Sequence, residues 1–284
     1  MQILDGKALA NQIEEEVKQE VSLLAKQKIT PGLAVILVGG DPASQAYVNM
    51  KAKACKRTGI YSVTHEMPEN ISQDSLIQTL SMLNCNPNID GILVQLPLPK
   101  HLDTTKVLET IAVNKDVDGF HPFNMGRVFE GLESFIPATP LGILNLLKHY
   151  NITLKGKNVV IVGASNIVGK PLGSLFLNEN ATITLCHIYT QNLTQHTKNA
   201  DILCVAVGKP NLITKEMVKE GAVVIDVGIN RLDDGSLSGD VDYTNVAPLC
   251  SYITPVPGGV GPMTIASLLQ NTIKAAKIRA KKSN

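Results

Sequence analysis

Apolar residues along this chain gather in short unbroken runs instead of alternating with polar ones. Residues 33–38 read Leu-Ala-Val-Ile-Leu-Val and end in Gly39-Gly40, and mostly continuous runs of the same kind occupy 91–96, 159–162, 202–207 and 222–227, with a Thr-interrupted one at 181–186. Such runs predict strands buried on both faces, hence parallel strands with helices packed on either side. Between them, as at 73–83, apolar residues recur with helical spacing. The class this predicts is α/β. A helix is expected to start at Pro42, with Asp41 as its N-cap, and another near Pro137-Ala138-Thr139-Pro140, ahead of the periodic Leu141, Leu144, Leu147 and Tyr150. The second is suited to link two lobes. No internal repeat or low-complexity segment interrupts the pattern.

Three places break the apolar pattern with polar residues that need a use. In the helix after Pro42, Tyr47 and Lys51 stand four apart and therefore share a face, an aromatic ring beside an amine. Alone, such a pair is what any solvated helix face carries. Gln95 follows Ile-Leu-Val at the carboxyl end of a strand, where α/β proteins bind ligands. The run 159–162 then turns through Gly163-Ala164-Ser165-Asn166-Ile167-Val168-Gly169 into a helix, the arrangement whose backbone N–H groups attract a pyrophosphate. Its glycine spacing departs from G-x-G-x-x-G, because Ser165 holds the second position and Gly169 comes one residue late. The next strand ends in His187-Ile188-Tyr189-Thr190, without the acidic residue that would hold a free ribose 2′-OH. That leans toward NADP, with NAD as the alternative, since no Arg in the loop stands ready for a 2′-phosphate.

Composition narrows the classes. The 284 residues carry a formal net charge of +1 and few aromatics, which argues against nucleic acid or an anionic membrane as partner. A basic run, Lys274, Lys277, Arg279, Lys281 and Lys282, reads as a solvated helix end. No stretch suits a membrane span, and the residues at Met1–Gly6 do not read as a signal peptide, so a cytoplasmic protein is expected. Cys55, Cys85, Cys186, Cys204 and Cys250 are scattered without a C-x-x-C pair and read as small core residues in a reducing compartment. The six histidines have no ligand-like spacing, and no metal is expected.

The ordered set of motifs resembles one family along essentially the whole chain: the bifunctional methylenetetrahydrofolate dehydrogenase/methenyltetrahydrofolate cyclohydrolases of one-carbon metabolism. The resemblance rests on Tyr47-Val48-x-x-Lys51, Asp90-Gly91-Ile92-Leu93-Val94-Gln95-Leu96-Pro97-Leu98-Pro99, Lys115-Asp116-Val117-Asp118-Gly119-Phe120, Pro137-Ala138-Thr139-Pro140, Ser165-Asn166-Ile167-Val168-Gly169-Lys170-Pro171, and Pro255-Val256-Pro257-Gly258-Gly259-Val260-Gly261-Pro262-Met263-Thr264. It implies a Rossmann-like parallel-sheet domain at 139–262 and a smaller folate-binding domain at 1–138 completed by a C-terminal helix at 263–284, with a cleft between the two lobes. It further implies Lys51 as the catalytic lysine, Gln95 as its modulator, Tyr47 as the ring stacked on folate and Asp118 as the pterin anchor, with Pro257, Gly258 and Gly259 helping to bind substrate. Gly163, Ala164, Ser165, Ile167, Val168, Gly169, His187, Thr190 and Ile229 are the expected NADP contacts, and a homodimer is the expected assembly. Asp116, beside Lys115, reads as the solvated neighbour of the functional Asp118.

Two departures bear on the cofactor. The family loop usually reads Gly-Arg-Ser, whereas Ala164 stands in the Arg position here, and Ile188 follows His187 where some relatives carry a Ser. The expected chemistry is oxidation of 5,10-methylenetetrahydrofolate to the methenyl cation, then hydrolysis to 10-formyltetrahydrofolate. The rivals are a dehydrogenase without the hydrolase step and a non-catalytic folate- or nucleotide-binding regulator.

Overall fold

A computed structural model describes residues 1–282. In chain order it begins with β1 (Gln2–Ile3), α1 (Gly6–Lys26), β2 (Gly32–Val38), α2 (Pro42–Thr58), β3 (Tyr61–Met67), α3 (Gln73–Cys85), β4 (Gly91–Val94), α4 (Thr104–Thr110), α5 (Pro122–Phe129) and α6 (Ala138–His149). There follow β5 (Asn158–Val162), α7 (Gly169–Asn178), β6 (Thr182–Cys186), α8 (Leu193–Thr197), β7 (Ile202–Val205), β8 (Val223–Asp226), β9 (Asn230–Arg231), β10 (Leu237–Ser238), α9 (Tyr243–Val246), β11 (Tyr252–Ile253) and α10 (Val260–Lys282). The α/β class is as expected. Ser283 and Asn284, the end of the expected C-terminal helix, and the Lys282 side chain lie outside the described residues.

The chain divides into two compact units whose boundaries cut through α1, α5, α10 and the first residue of α6. One unit, Met1–Ala10, Val128–Leu132 and Thr139–Thr264, carries a six-stranded sheet of order β1-β11-β8-β7-β5-β6, every neighbouring pair parallel. Val160, Val162, Leu203, Val205, Val224 and Ile253 from these strands share a core with Val218, Val241, Val246 and Cys250. The chain runs from β5 to β6 on one side and returns to β7 on the other. That reversal makes the carboxyl ends of β5 and β7 a switch point, the place where such sheets bind ligands.

The other unit, Asn11–Arg127, Glu133–Ala138 and Ile265 onward, holds a three-stranded parallel sheet of order β3-β2-β4. It too reverses, about β2. Every residue of β2 and β4 is buried, and Ala34, Ile36, Val38, Ile92 and Val94 pack with Leu76, Leu80 and Leu83 of α3. β3 escaped the sequence reading because this edge strand is only partly buried, unlike β4 at the other edge, and Tyr-Ser-Val-Thr-His-Glu-Met offers no apolar run. Also absent from that reading is α1, although Leu9, Ile13, Val17, Val21 and Leu24 recur at helical spacing and are buried. The strand expected over 91–96 stops at Val94: Gln95 N still donates to Ile36 O (2.9 Å), but Pro97 and Pro99 have no N–H with which to extend a ladder.

Two expectations need correction. Cys55, Cys186, Cys204 and Cys250 are buried as expected, but Cys85 is exposed at the end of α3. The C-terminal basic run is not simply solvated. Lys274 Nζ donates to Ser134 O (2.8 Å) and lies over the Phe135 ring, and Lys277 pairs with Glu20. Arg279 donates to both oxygens of Asp90 at 2.6 and 3.2 Å, and Asp90, 2% exposed, also accepts from Gly32 N at 3.0 Å. That carboxylate thereby ties α10 to the start of β2. Replacing Arg279 by Met leaves a buried carboxylate short of its charged partner, and it should cost about 1.5–3 kcal/mol. Urea denaturation checks this, and a midpoint unchanged with an unchanged slope would contradict it.

Candidate active site

Helix α2 is built to hold Lys51 still. The Asp41 side chain caps it by accepting from Ser44 N at 2.7 Å, Pro42 occupies its first turn, and Gly59 closes it in the left-handed conformation at φ 81°. Within it Val48, Ala54, Cys55 and Thr58 are buried, anchoring the face that also carries Lys51. Lys51 itself is 7% exposed, and Tyr47, one turn earlier, is half-buried. Nζ of Lys51 donates to Oε1 of Gln95 at 2.9 Å, while Nε2 of Gln95 donates to Leu96 O at 2.8 Å. The second bond orients the amide so that its oxygen faces the amine.

Burial lowers the pKa of Lys51 below that of an ordinary amine, opposed by the negative charge of Asp118. Burial also raises the Asp118 carboxyl to about 6, the Lys51 charge pulling it down and Asp116 pushing it up. The two groups sense each other, so Lys51, Gln95 and Asp118 form one electrostatic cluster, with the half-buried Tyr47 on the same helix face.

The loop carrying Asp118 is shaped by Asp116, which is not the solvated neighbour expected. It is 1% exposed and accepts from Phe120 N (3.1 Å), His121 N (2.9 Å) and Asn124 Nδ2 (2.8 Å). Lys115 is turned away, its ammonium donating to Leu83 O and Asn86 O at the end of α3. Gly119 adopts φ +74°, and a β-carbon there would meet Pro137 N at 2.6 Å. Asn271 Nδ2 donates to Val117 O and Ile136 O, closing the loop from the side of α10. None of Asn124, Asn271 or the buried role of Asp116 was legible, because nothing local in sequence marks which backbone groups converge.

In the six-stranded unit the expected cofactor residues occupy two neighbouring turns and a third loop. Gly163 leaves β5 at φ +117°, where a β-carbon would strike Ala206 O at 2.2 Å. Gly169 opens α7, and a β-carbon there would strike Gly163 O at 1.7 Å. Both glycines are therefore needed for a turn this tight, whatever the motif spacing. Ser165 Oγ accepts from Val168 N (3.1 Å) inside the turn; Ser165 and Ile167 are exposed, and Ala164 is half-buried. After β6, Thr190 Oγ1 accepts from His187 N (2.9 Å) and His187 Nδ1 accepts from Tyr189 N (3.2 Å), which leaves Nε2 as the ring N–H. Ile229 follows β8 and is exposed. Pro257, Gly258 and Gly259 fall in this same unit, with Gly258 O accepting from Lys7 N.

Two family models cover the chain: the tetrahydrofolate dehydrogenase/cyclohydrolase catalytic domain over residues 4–118 and the corresponding NAD(P)-binding domain over residues 137–280. The chain belongs to the tetrahydrofolate dehydrogenase/cyclohydrolase family. It is 71% identical over 280 residues to the bifunctional protein FolD of Wolinella succinogenes, covering 98% of each. Among solved structures, it matches the bifunctional FolD of Campylobacter jejuni with a TM-score of 0.97 at 54% identity, over 98% of this chain and 99% of that one. The Trypanosoma brucei FolD, solved with NADP and an inhibitor, matches with a TM-score of 0.94 at 36% identity, over 98% and 97% of the two chains. Family membership thus agrees with the resemblance carried by the motifs.

Because the folded-state pKa of Asp118 is raised from 3.8 to about 6, its contribution to stability is present below about pH 3.8 and is lost as pH rises through about 6. Asp118→Asn should therefore stabilise the ligand-free protein at neutral pH by on the order of 1 kcal/mol, allowing for screening at the carboxyl's partly accessible surface. The gain should vanish near pH 4. Melting curves of the two proteins between pH 4 and 8 test this, and a variant less stable than the parent at pH 7.5 contradicts it.

Proposed function

We propose that Lys51 is the proton carrier of this enzyme, with Gln95 setting its orientation, Asp118 and Tyr47 holding the pterin, and the turn from Gly163 to Gly169 receiving the dinucleotide. The overall chemistry is that of the family. The chain is a methylenetetrahydrofolate dehydrogenase and methenyltetrahydrofolate cyclohydrolase of one-carbon metabolism: it oxidises 5,10-methylenetetrahydrofolate with NADP and hydrolyses the methenyl product to 10-formyltetrahydrofolate. We assign the folate to the unit of the three-stranded sheet and the dinucleotide to that of the six-stranded sheet. Among the described residues no helix is long and apolar enough to cross a membrane. The same reading takes the enzyme to be cytoplasmic, which its unpaired thiols suit, and homodimeric, as the family resemblance implies.

The observation that carries the assignment is the buried Lys51 amine donating to a neutral amide at 2.9 Å. An amide oxygen can accept from either an amine or an ammonium, so Gln95 positions Nζ without a full counter-charge that would lock it in the charged form, as a carboxylate at that distance would. Burial meanwhile moves the amine toward the neutral form it needs as a base. In hydrolysis, water adds to the methenyl carbon and Lys51 accepts its proton. The carbon–nitrogen bond then breaks as the new hydroxyl becomes the formyl carbonyl and releases its remaining proton to water, and Lys51 returns the first proton to the departing nitrogen. A positive methenyl group next to Nζ favours the neutral amine further, so the base is readied by its own substrate. Asp118 offers acceptor oxygens suited to the paired N–H donors of a pterin edge.

The dinucleotide fits the turn for a structural reason: with no β-carbon at Gly163 or Gly169, the start of α7 packs onto the end of β5 and presents backbone to a pyrophosphate. Ser165, Val168, His187 and Thr190 would line its adenosine side and Ile229 its nicotinamide side. NADP, when bound, takes up the hydride. The protein's part in that step is alignment, which needs no base.

The two activities should therefore separate in Lys51→Met. Methenyl hydrolysis should fall about 10²–10⁴-fold, the usual worth of a general acid–base group, while cofactor reduction persists in part. Both rates are read by absorbance on the same folded variant. Near-normal hydrolysis would return Lys51 to a packing role.

NADP should be preferred to NAD, but by less than in relatives with an Arg in the loop. Ala164→Arg adds a charged partner for the 2′-phosphate worth roughly 1.5–3 kcal/mol, and it should raise the NADP/NAD ratio of kcat/KM by about tenfold or more. An unchanged ratio would mean that another group already holds the phosphate.

A further inference from the structure

Asp226 and Asp240, 3% and 0% exposed, are carboxylates in the core of the six-stranded unit that the chemistry above does not use. Their hydrogen bonds are unusual in converging on backbone at one end of the sheet. Asp240 Oδ2 accepts from Val207 N (2.7 Å) and Gly208 N (2.9 Å), and Oδ1 accepts from Lys209 N (2.8 Å) and Asn230 Nδ2 (2.9 Å). Three consecutive amides thus wrap one carboxylate, a nest of the kind that binds anions, here filled from within the chain. Asp226 accepts from Gly228 N (3.0 Å), Asp240 N (3.0 Å) and Val241 N (2.9 Å). It holds the segment that carries Asp240, so the two act in series.

The segments they clamp leave the carboxyl ends of β7 and β8, at or next to the switch point. Ala206, just before the nest, supplies the carbonyl oxygen that forbids a β-carbon at Gly163, so the clamped loop backs directly onto the phosphate turn. Asn230 follows Ile229. On these same loops Val207 and Ile229 are 46% and 41% exposed, apolar side chains held in the open by a buried anchor beneath. The glycines agree: a β-carbon at Gly228 would strike the Asp240 carboxyl at 2.3 Å, and one at Gly239 the Asp226 carboxyl at 1.9 Å. An apolar residue could not stand in for either carboxylate, because the backbone N–H groups that converge on it would be left without an acceptor. What a carboxylate supplies is a fixed set of acceptor positions.

We infer that Asp240, supported by Asp226, is a positioning residue for the dehydrogenase half-reaction, setting the loops of Val207 and Ile229 against the bound dinucleotide without touching it. The inference rests on the assignment of the dinucleotide to this unit. It predicts an asymmetry that a general loss of stability does not, because methenyl hydrolysis needs no cofactor.

The test measures, for Asp240→Asn and Asp226→Asn in the full-length protein, KM for NADP, methenyl hydrolysis without NADP, and melting temperature. Asp201→Asn serves as the comparison. Asp201 accepts from Asn158 N (2.9 Å) and pairs with Lys219, at the opposite end of the same sheet. In Asp240→Asn an amide N–H₂ replaces an acceptor oxygen facing backbone donors. KM for NADP should rise at least about tenfold while hydrolysis is retained. Asp226→Asn should shift KM in the same direction, and Asp201→Asn should leave it alone. Should Asp240→Asn not fold, Asn230→Ala keeps the carboxylate and removes one of its donors, and a smaller rise in KM is expected. An unchanged KM in the variants that fold, or loss of both activities in parallel with melting temperature, overturns the inference. Failure of the parent protein to turn over with NADP would instead overturn the cofactor assignment.

Discussion

The acid–base end proposed for this molecule depends on one constraint: a primary amine taken almost wholly out of water must be held in place without being given a full counter-charge at contact distance. A carboxylate bonded to Lys51 would keep it protonated, and a purely apolar pocket would leave its donors unmet. Gln95 resolves the conflict at 2.9 Å by accepting a hydrogen bond while remaining neutral. This places demands on local structure. Helix α2 must be rigid, which its Asp41 cap and its left-handed close at Gly59 provide. The amide must not flip, and its second bond, to Leu96 O, prevents that.

Both units place their polar residues by the same topological device. Each sheet reverses its strand order about one strand, β2 in the smaller sheet and β5 in the larger, and the segments leaving the carboxyl ends there diverge to opposite faces. Gln95 leaves β4 beside β2, and the turn proposed to receive the dinucleotide leaves β5. A buried parallel sheet has no polar surface of its own. Its chemistry is confined to the ends of its strands, so the site residues are few and sit directly after apolar runs.

That is also why part of the molecule was legible in its sequence. The central strands announce themselves as uninterrupted apolar runs, and Gln95 and Gly163 stand out because each is the residue at which such a run ends. An edge strand such as β3 is half-exposed and looks like any mixed segment. Side chains whose partners are not marked by any local pattern were misread or missed, whether those partners lie a few residues on or far along the chain. Asp116 looks like a solvated residue beside Lys115, yet it is consumed by backbone amides ahead of α5, and Arg279 looks like part of a solvated tail, yet it reaches Asp90 across 189 positions. Adjacent charges in a sequence repel or attract only if the backbone lets them face each other. The turn at Gly163 shows the opposite case. Its glycine spacing departs from the motif, but the constraint a motif stands for, the close approach of strand, turn and helix, is met by carbonyl contacts at Gly163 and Gly169.

Asp116, Asp118 and Asp226 are all pushed upward in pKa by burial, and what opposes burial distinguishes their roles. For Asp116 and Asp226 the opposing influences are led by hydrogen bonds from Asn124 or from backbone amides, which fix the carboxylate as part of the scaffold. For Asp118 it is the charge of Lys51. Coupling of this kind is reciprocal: a proton arriving on Lys51 favours the ionised form of Asp118, and ionised Asp118 favours the proton on Lys51. Under the mechanism proposed, water's proton moves to Lys51 as the positive charge on the methenyl carbon disappears, so one cation replaces another beside Asp118. The carboxylate faces a positive charge before and after the transfer, and the site need not rearrange its charge balance for the proton to move. A scaffold carboxylate saturated by amides could not respond in this way, which is the physical reason that Asp118 and Asp116, two residues apart, serve different ends.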